Sequence, residues 1–357
     1  MFQRTSLAAL RRSFTLIAIT AALFACSNDN DDENEISSYK NSLLLNFTSD
    51  YETGLLRWMD PDSTSLLSGE ISFDQDSKVF ANGKDIFVLE RKDWGATNIL
   101  SCMQADKIGD KKQTRLENLS NPYEVAVIGN KGYIAMYDLD YVQEFDPATC
   151  TLGEKIDLQI TQANAASIKA SGDTLLVIAQ RLESYSATKP GLLIRIKTST
   201  KTLIDTIPLK FYNPGYSILS KGKLYVSSID DYFTFANAGI EVVDIKTGSS
   251  EIIATGTQLG GGVSSMALDE KNQILYASVY ASYGNVPVKP VTLSNKTIGA
   301  ALPSITDSFG GILLDSETNR LFIADVEGLK IYDTASQQII AVNGGTLPTS
   351  SLAIARW

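Results

Sequence analysis

The side chains that most often carry chemistry are sparse in this sequence, and one kind is missing. Among 357 residues there is no histidine, which removes the commonest general base, the commonest transition-metal ligand and the usual haem ligand. Zinc sites of the histidine type and Ser-His-Asp hydrolysis are excluded on that ground. Carboxylates remain. Asp230-Asp231 and Asp138-x-Asp140 have the spacing to hold a cation, and paired acids can run glycoside chemistry. Acids in polar loops are more often simply solvated, however, and nothing singles out one pair. Asp60-Pro61-Asp62-Ser63-Thr64 opens like a calcium loop but lacks the later glycine and bidentate glutamate. Gly260-Gly261-Gly262 and Gly310-Gly311 precede neither Lys-Ser/Thr nor a helix, so they read as places where strands crowd together rather than as phosphate loops. No catalytic residue, metal ligand or cofactor is assigned, and the expectation is a non-enzyme.

What the loops carry instead is rings. After one recurrent class of β-rich run come Tyr51, Trp94, Tyr137, Tyr141, Tyr185, Tyr232, Phe233, Phe235, Tyr280 and Tyr283. Between repeats come Tyr123, Phe211, Tyr212, Tyr216 and Phe309. They are interleaved with acids such as Asp138, Glu183, Asp231 and Glu327, and with fewer cations, Arg91, Lys92, Arg181 and Lys189. Rings with polar tips supply rigid contact area. Eleven of them form the candidate ligand-binding face: Tyr51, Trp94, Tyr137, Tyr141, Tyr185, Tyr216, Tyr232, Phe233, Tyr280, Tyr283 and Phe309. A concave mouth of this makeup suits a planar or macrocyclic ligand, a sugar or a partner protein. About half of the loop rings are expected to pack between repeats instead.

The elements that must position these loops are short strands. Hydrophobic content of 44% and charged content of 20% are those of a folded chain. From Asn41 onward, β-rich runs alternate with Gly, Asn, Asp and Ser clusters. An apolar triplet recurs as Ile86-Phe87-Val88, Tyr133-Ile134-Ala135, Leu175-Leu176-Val177, Leu224-Tyr225-Val226, Leu275-Tyr276-Ala277 and Leu321-Phe322-Ile323, at spacings of 47, 42, 49, 51 and 46 residues. A tight polar turn precedes each, such as Asn82-Gly83-Lys84-Asp85. A strand ending in a polar turn follows, as in Ile240-Glu241-Val242-Val243-Asp244. Four strands in a WD40-like repeat of this length make a propeller blade. The blades are placed at Asn41–Ser77, Lys78–Ser120, Asn121–Thr161, Gln162–Tyr212, Asn213–Gly260, Gly261–Thr306 and Asp307–Ser350. Blade one lacks an inner strand, and Ser351–Trp357 is a strand without a blade. The expected fold is therefore all-β: a seven-bladed β-propeller closed by the C-terminal strand joining blade one, which leaves no open edge. A linear β-solenoid is the alternative.

The N-terminus has the layout of a signal peptide. Arg4, Arg11 and Arg12 precede an eleven-residue apolar stretch, Phe14 to Phe24, too short to span a membrane as a helix, which takes about 20 residues. It ends in Leu23-Phe24-Ala25-Cys26, which resembles a bacterial lipobox. That resemblance implies cleavage before Cys26 and a lipid on its thiol, anchored at about 0.8 kcal/mol per buried methylene. The expected organisation is a lipoprotein signal peptide over 1–25, an acidic disordered tether over 26–40 and the propeller over 41–357. Ser27 after the cysteine favours outer-membrane sorting, and the acids Asp29, Asp31, Asp32, Glu33 and Glu35 resemble the surface-export signals of Bacteroidetes-type lipoproteins; a solvated periplasmic spacer is the alternative. The expected location is the outer membrane, at the cell surface or its periplasmic face. Loss of residues 1–25 takes three arginines and no acid, moving the formal charge from −10 to −13. Such a net anion repels nucleic acid and anionic membranes, so membrane contact is expected through the lipid alone.

The triplet, the Val242-Val243-Asp244-Ile245-Lys246-Thr247-Gly248 strand and the strand after it resemble the YVTN or YncE-like seven-bladed propellers of secreted bacterial proteins, over roughly Asn41 to Trp357. Some lipid-anchored propellers of this broad group resemble surface lipoproteins that capture cobalamin or siderophores above TonB-dependent transporters, though no residue here is diagnostic of them. Cys102 and Cys150 fall near the ends of third strands in successive blades, where a disulfide fits an oxidising compartment; two free thiols remain the alternative. The expected function is an envelope protein that binds a small ligand or partner without catalysis, its candidate partners being an outer-membrane transporter or another envelope protein. A protein–protein scaffold is the second reading, and a carboxylate-dependent hydrolase or lyase the third.

Overall fold

The structure, a computed structural model, describes residues 41–48, 53–64, 71–74, 76–92, 96–343 and 349–356. The expected signal segment and tether, with Cys26, and the rings Tyr51 and Trp94 lie outside these residues. Among the described residues the fold is an all-β propeller of seven four-stranded antiparallel sheets. Sheets two to seven occupy residues 78–115, 122–157, 165–212, 214–255, 262–298 and 312–343. Sheet one combines Asn41–Thr48, Thr53–Met59 and Ile71–Asp74 with Thr349–Arg356 from the far end of the chain. In it, Leu43 pairs with Ile354, Leu44 with Ala353 and Leu45 with Leu352. The one helix described is the four-residue Gly256–Leu259, capped by Thr255 and Gln258.

The apolar triplet has a physical cause that alternation alone does not give. The second strand of each sheet is covered on both faces, so successive side chains feed two different cores. In Asp85–Lys92, Ile86 and Val88 join Leu44, Leu56 and Ala355 of sheet one. Phe87 and Leu89 join Ile134 and Phe145 of sheet three. The pattern repeats around the molecule: Leu175 and Val177 pack toward sheet three, Leu176 and Ile178 toward sheet five. Sheet seven packs Phe322 and Ile331 against Met59 of sheet one. Each such side chain, fully buried, contributes roughly 1.5–3 kcal/mol, and no sheet could hide these residues alone.

The boundary expected between Thr306 and Asp307 falls inside a long connection from Ile298 to Ile312. It is tied down where Val286 bridges Asp307. The fourth strand of sheet six is only Thr297–Ile298. Pro290, in the strand beside it, has no N–H to donate to the ladder.

Candidate functional site

Antiparallel pairing puts the start of each innermost strand beside the end of the second strand: Lys78 opposite Leu89, Pro122 opposite Met136, Pro214 opposite Ser228. The loops after second strands and those entering the next sheet therefore share one face. Backbone bonds staple the two loop classes together. Tyr137 N donates to Asn121 O at 3.1 Å, Gln180 N to Asn164 O at 3.1 Å and Ile229 N to Asn213 O at 3.3 Å.

The rings divide into two groups on this face. Tyr185, Phe233 and Tyr283 are 78%, 87% and 95% exposed, with Tyr232 and Phe309 also exposed. Tyr185 and Tyr232 sit in the left-handed region, at φ 63° and 67°. A large side chain held there costs of order 1–3 kcal/mol. Tyr280 collects a cluster of edge-to-face contacts, with Tyr232 at 5.4 Å, Phe309 at 6.0 Å and Phe235 at 6.2 Å between centroids. Other rings are structural. Tyr137 is buried, stacked on Tyr123 at 4.9 Å, and its hydroxyl donates to Gln180 Oε1 at 2.6 Å. Burial pushes that hydroxyl's pKa far up, and Tyr123, Asp138, Tyr232 and Tyr185 add to the effect. Tyr141 stands at the rim, donating to Glu117 Oε2 at 2.7 Å. Phe211 is buried. Tyr216, read as a loop ring, belongs to the innermost strand Pro214–Ser220 and lines the interior.

The paired loop acids hold loops. Asp231 Oδ1 accepts from Phe233 N at 2.9 Å and Thr234 N at 2.8 Å, and these backbone bonds depress its pKa. Asp230 Oδ2 accepts from Asn237 N at 2.8 Å. Asp140 takes Ala163 N at 2.9 Å, and Asp138 takes Asn121 Nδ2 at 3.2 Å. Among the described residues no group of three His, Cys, Asp or Glu is placed to hold a metal ion, and no helix is long and apolar enough to cross a membrane. Cys102 and Cys150 form a disulfide, Cα atoms 5.7 Å apart. Cys150 lies in the turn after the third strand rather than within it.

Beneath the rings runs an interior lined by innermost strands. One cavity of about 480 Å³ is bounded by Lys169, Tyr216, Ser217, Met266, Glu270 and Ile312. A second, of about 280 Å³, is bounded by Phe80, Val125, Ile168 and the same Lys169. Sequence reasoning missed the charges at its loop-face end: Lys78, Glu124 and Lys169. Each is the one charge of its innermost strand, a weak signal that sequence alone reads as solvent-facing. Glu124 Oε1 accepts from Lys169 Nζ at 2.5 Å, while Glu124 Oε2 accepts from Ser167 Oγ and Ile168 N, both at 2.6 Å. Lys78 Nζ lies 3.9 Å from the Tyr123 ring centroid.

No protein-family model matches the chain, and no curated protein matches it. Solved structures do. A candidate 6-phosphogluconolactonase from Bacteroides fragilis superimposes with a TM-score of 0.61 at 13% identity, over 92% of this chain and 100% of that one. A functionally unknown protein from Desulfotomaculum acetoxidans gives 0.60 at 14%, over 89% and 99%. Apo AztD from Citrobacter koseri gives 0.58 at 12%, over 88% and 98%. At such identities the likeness concerns the fold alone.

Proposed function

We propose that this chain is a lipid-anchored envelope propeller, YncE-like in kind, that binds a small ligand or a partner protein through its loop face and does no chemistry on it. In this reading the seven sheets are seven blades of one closed ring, with the C-terminal strand as the clasp. The pairing of Leu44 with Ala353 and the packing of Phe322 against Met59 support closure. The Leu-Phe-Ala-Cys26 sequence and the acidic segment after it support export, lipidation and an outer-membrane location.

The observation that carries the binding function is the distribution of exposed apolar side chains. Among the described residues, the large ones fall in two places. Tyr185, Tyr232, Phe233, Tyr283 and Phe309 stand on the loop face, with Leu119 and Val326 beside them. Ile204 and Ile252 sit singly on outer strands at the rim, and Ile340 and Val342 share one face of another outer strand. Scattered rim residues need no explanation, whereas rings gathered on one face mark an interaction surface. The loop acids already bound to backbone N–H groups favour binding over carboxylate catalysis.

The test is a thermal-shift screen of corrinoids, siderophores and glycans against the wild type and a Tyr185/Phe233/Tyr283→Ser triple variant. A compound that raises the wild-type Tm and leaves the variant unmoved supports small-ligand capture. If nothing shifts the wild type, that form of the function fails. Turnover of any of these compounds, abolished by a single loop-acid substitution, would replace binding with catalysis.

A further inference from the structure

At the loop-face ends of Lys78–Asn82 and Pro122–Ile128, charges are matched pair by pair with one left over. Both oxygens of Glu124 are taken, by Lys169 on one side and by Ser167 and Ile168 N on the other. Asp76 Oδ2 accepts from Arg91 Nη2 at 2.5 Å, and Arg91 Nη1 donates to Asn121 Oδ1 at 2.8 Å. Asn121 in turn donates to Asp138. Lys78 makes no ion pair and donates no hydrogen bond among the described residues. Its contact is the face of Tyr123, which Arg91 also approaches, at 5.4 Å from the centroid.

The surroundings of Lys78 sharpen the point. It is only partly exposed, and burial lowers its pKa. Arg91 pushes the same way, while Tyr123, Asp76 and Glu124 oppose. A half-buried ammonium with no acceptor from the described residues is open to an incoming negative group. Phenol hydroxyls gather nearby. Burial, helped by Tyr123 and Tyr280, raises the pKa of the Tyr232 hydroxyl, so that group stays neutral and remains a donor.

A backbone device sets which side chains stand at this end. The innermost strands carry the same bulge at Pro122/Glu124, Ala165/Ser167, Pro214/Tyr216 and Val263/Ser265. Bulges re-aim the extra residue. That residue is Tyr123 in the first strand but Ala166, Gly215 and Ser264 in the others. One ring is therefore delivered beside Lys78, and no large side chain is delivered by the next three bulges.

We infer that the mouth takes a flat organic anion, a conjugated or aromatic body bearing a carboxylate or phosphate, with the negative group on Lys78 beside Tyr123. This rests on the reading of the loop face as a ligand-binding surface. It narrows that reading to one chemistry and one anchoring residue.

The test uses 2-naphthoate and its neutral counterpart 2-naphthylmethanol, titrated against the full chain by naphthyl fluorescence. The wild type is expected to bind the carboxylate at least tenfold more tightly than the alcohol, the order given by one charge-assisted hydrogen bond. Lys78→Met should abolish that preference while leaving alcohol binding within about twofold, and Lys78→Arg should keep most of it. The Tm of each variant shows that it folds. Equal binding of both probes by the wild type overturns the inference but leaves the ring face as a binding surface. A carboxylate preference that survives in K78M overturns the role of Lys78, and absence of naphthoate binding overturns the anion itself. The ligand screen with the ring variant then decides separately whether the face binds anything.

Discussion

Cys102, in the third strand of sheet two, is bonded to Cys150, in a turn of sheet three, across a core that also holds Phe87 and Phe145 with ring centroids 5.3 Å apart. The bridge spans 48 residues of sequence and ties two blades at their shared core. Packing there is tight: a Cβ at Gly132 would lie 2.2 Å from the Phe145 ring.

Restraining a loop of that length stabilises by about 4 kcal/mol in the chain-entropy picture. The Cys102→Ser/Cys150→Ser variant is expected to lose 2–4 kcal/mol, on that typical scale, in urea titration. Reductant should lower the wild-type midpoint and leave the variant unchanged. A variant as stable as the wild type would remove the bridge as a structural element.

Glu241 offers a pH prediction with a definite sign. It is fully buried, with Oε1 accepting from Lys210 N at 2.8 Å and Oε2 without a partner among the described residues. Desolvation raises its pKa above the ordinary glutamate value, against the opposing pull of the Lys210 and Phe211 backbone N–H groups. The folded state therefore holds this proton more tightly than the unfolded chain. Its stabilising effect is complete below the ordinary glutamate pKa and is lost as pH rises through the raised one. Glu241→Gln should flatten the fall in Tm as pH rises above the ordinary glutamate pKa of about 4.3. An unchanged slope would show that Glu241 does not titrate in that window.

The proposed closure by the last strand is testable at Ala355, which is fully buried in the core shared by sheets one and two. A carboxylate there has no partner, and burying one costs on the order of 3–5 kcal/mol. Ala355→Asp is expected to lose that much or fail to fold, whereas Ile252→Ser at the rim should stay within about 0.5 kcal/mol. Equal effects from the two would mean that the last strand is not part of the folded ring.

The proposed lipid anchor makes its own prediction. Cys26→Ala in the native host should abolish incorporation of labelled fatty acid and move the protein from the membrane to the soluble fraction. Labelling that persists in that variant would refute the anchor.

Much of the fold was legible because repetition amplifies weak local signals. Ile86-Phe87-Val88 alone is an ambiguous apolar run. Its copies at Leu175-Leu176-Val177 and Leu321-Phe322-Ile323 reveal a strand buried on both faces. The site was legible in part. Exposed rings such as Phe233 and Tyr283 were found because loops are normally poor in rings, but Tyr137 looks the same in sequence and is buried against Gln180 and Tyr123. Which way a loop ring turns depends on the neighbouring sheet, some 40 residues distant. Lys78, Glu124 and Lys169 were missed for the same reason. Within one strand a lone charge reads as solvent-facing, and only the convergence of innermost strands turns it inward. The acids Asp230 and Asp231 drew attention as ligands and proved to be loop fasteners, a role set by backbone N–H groups that sequence does not display.

The central claim, that the ringed face is the working surface, is tested most directly by oxidative footprinting of the protein in its native envelope against the purified chain. Tyr185, Phe233 and Tyr283 are expected to be protected several-fold in the envelope, while rim residues Ile204 and Ile252 react equally in both. Equal reactivity of the three rings in the two samples would contradict it.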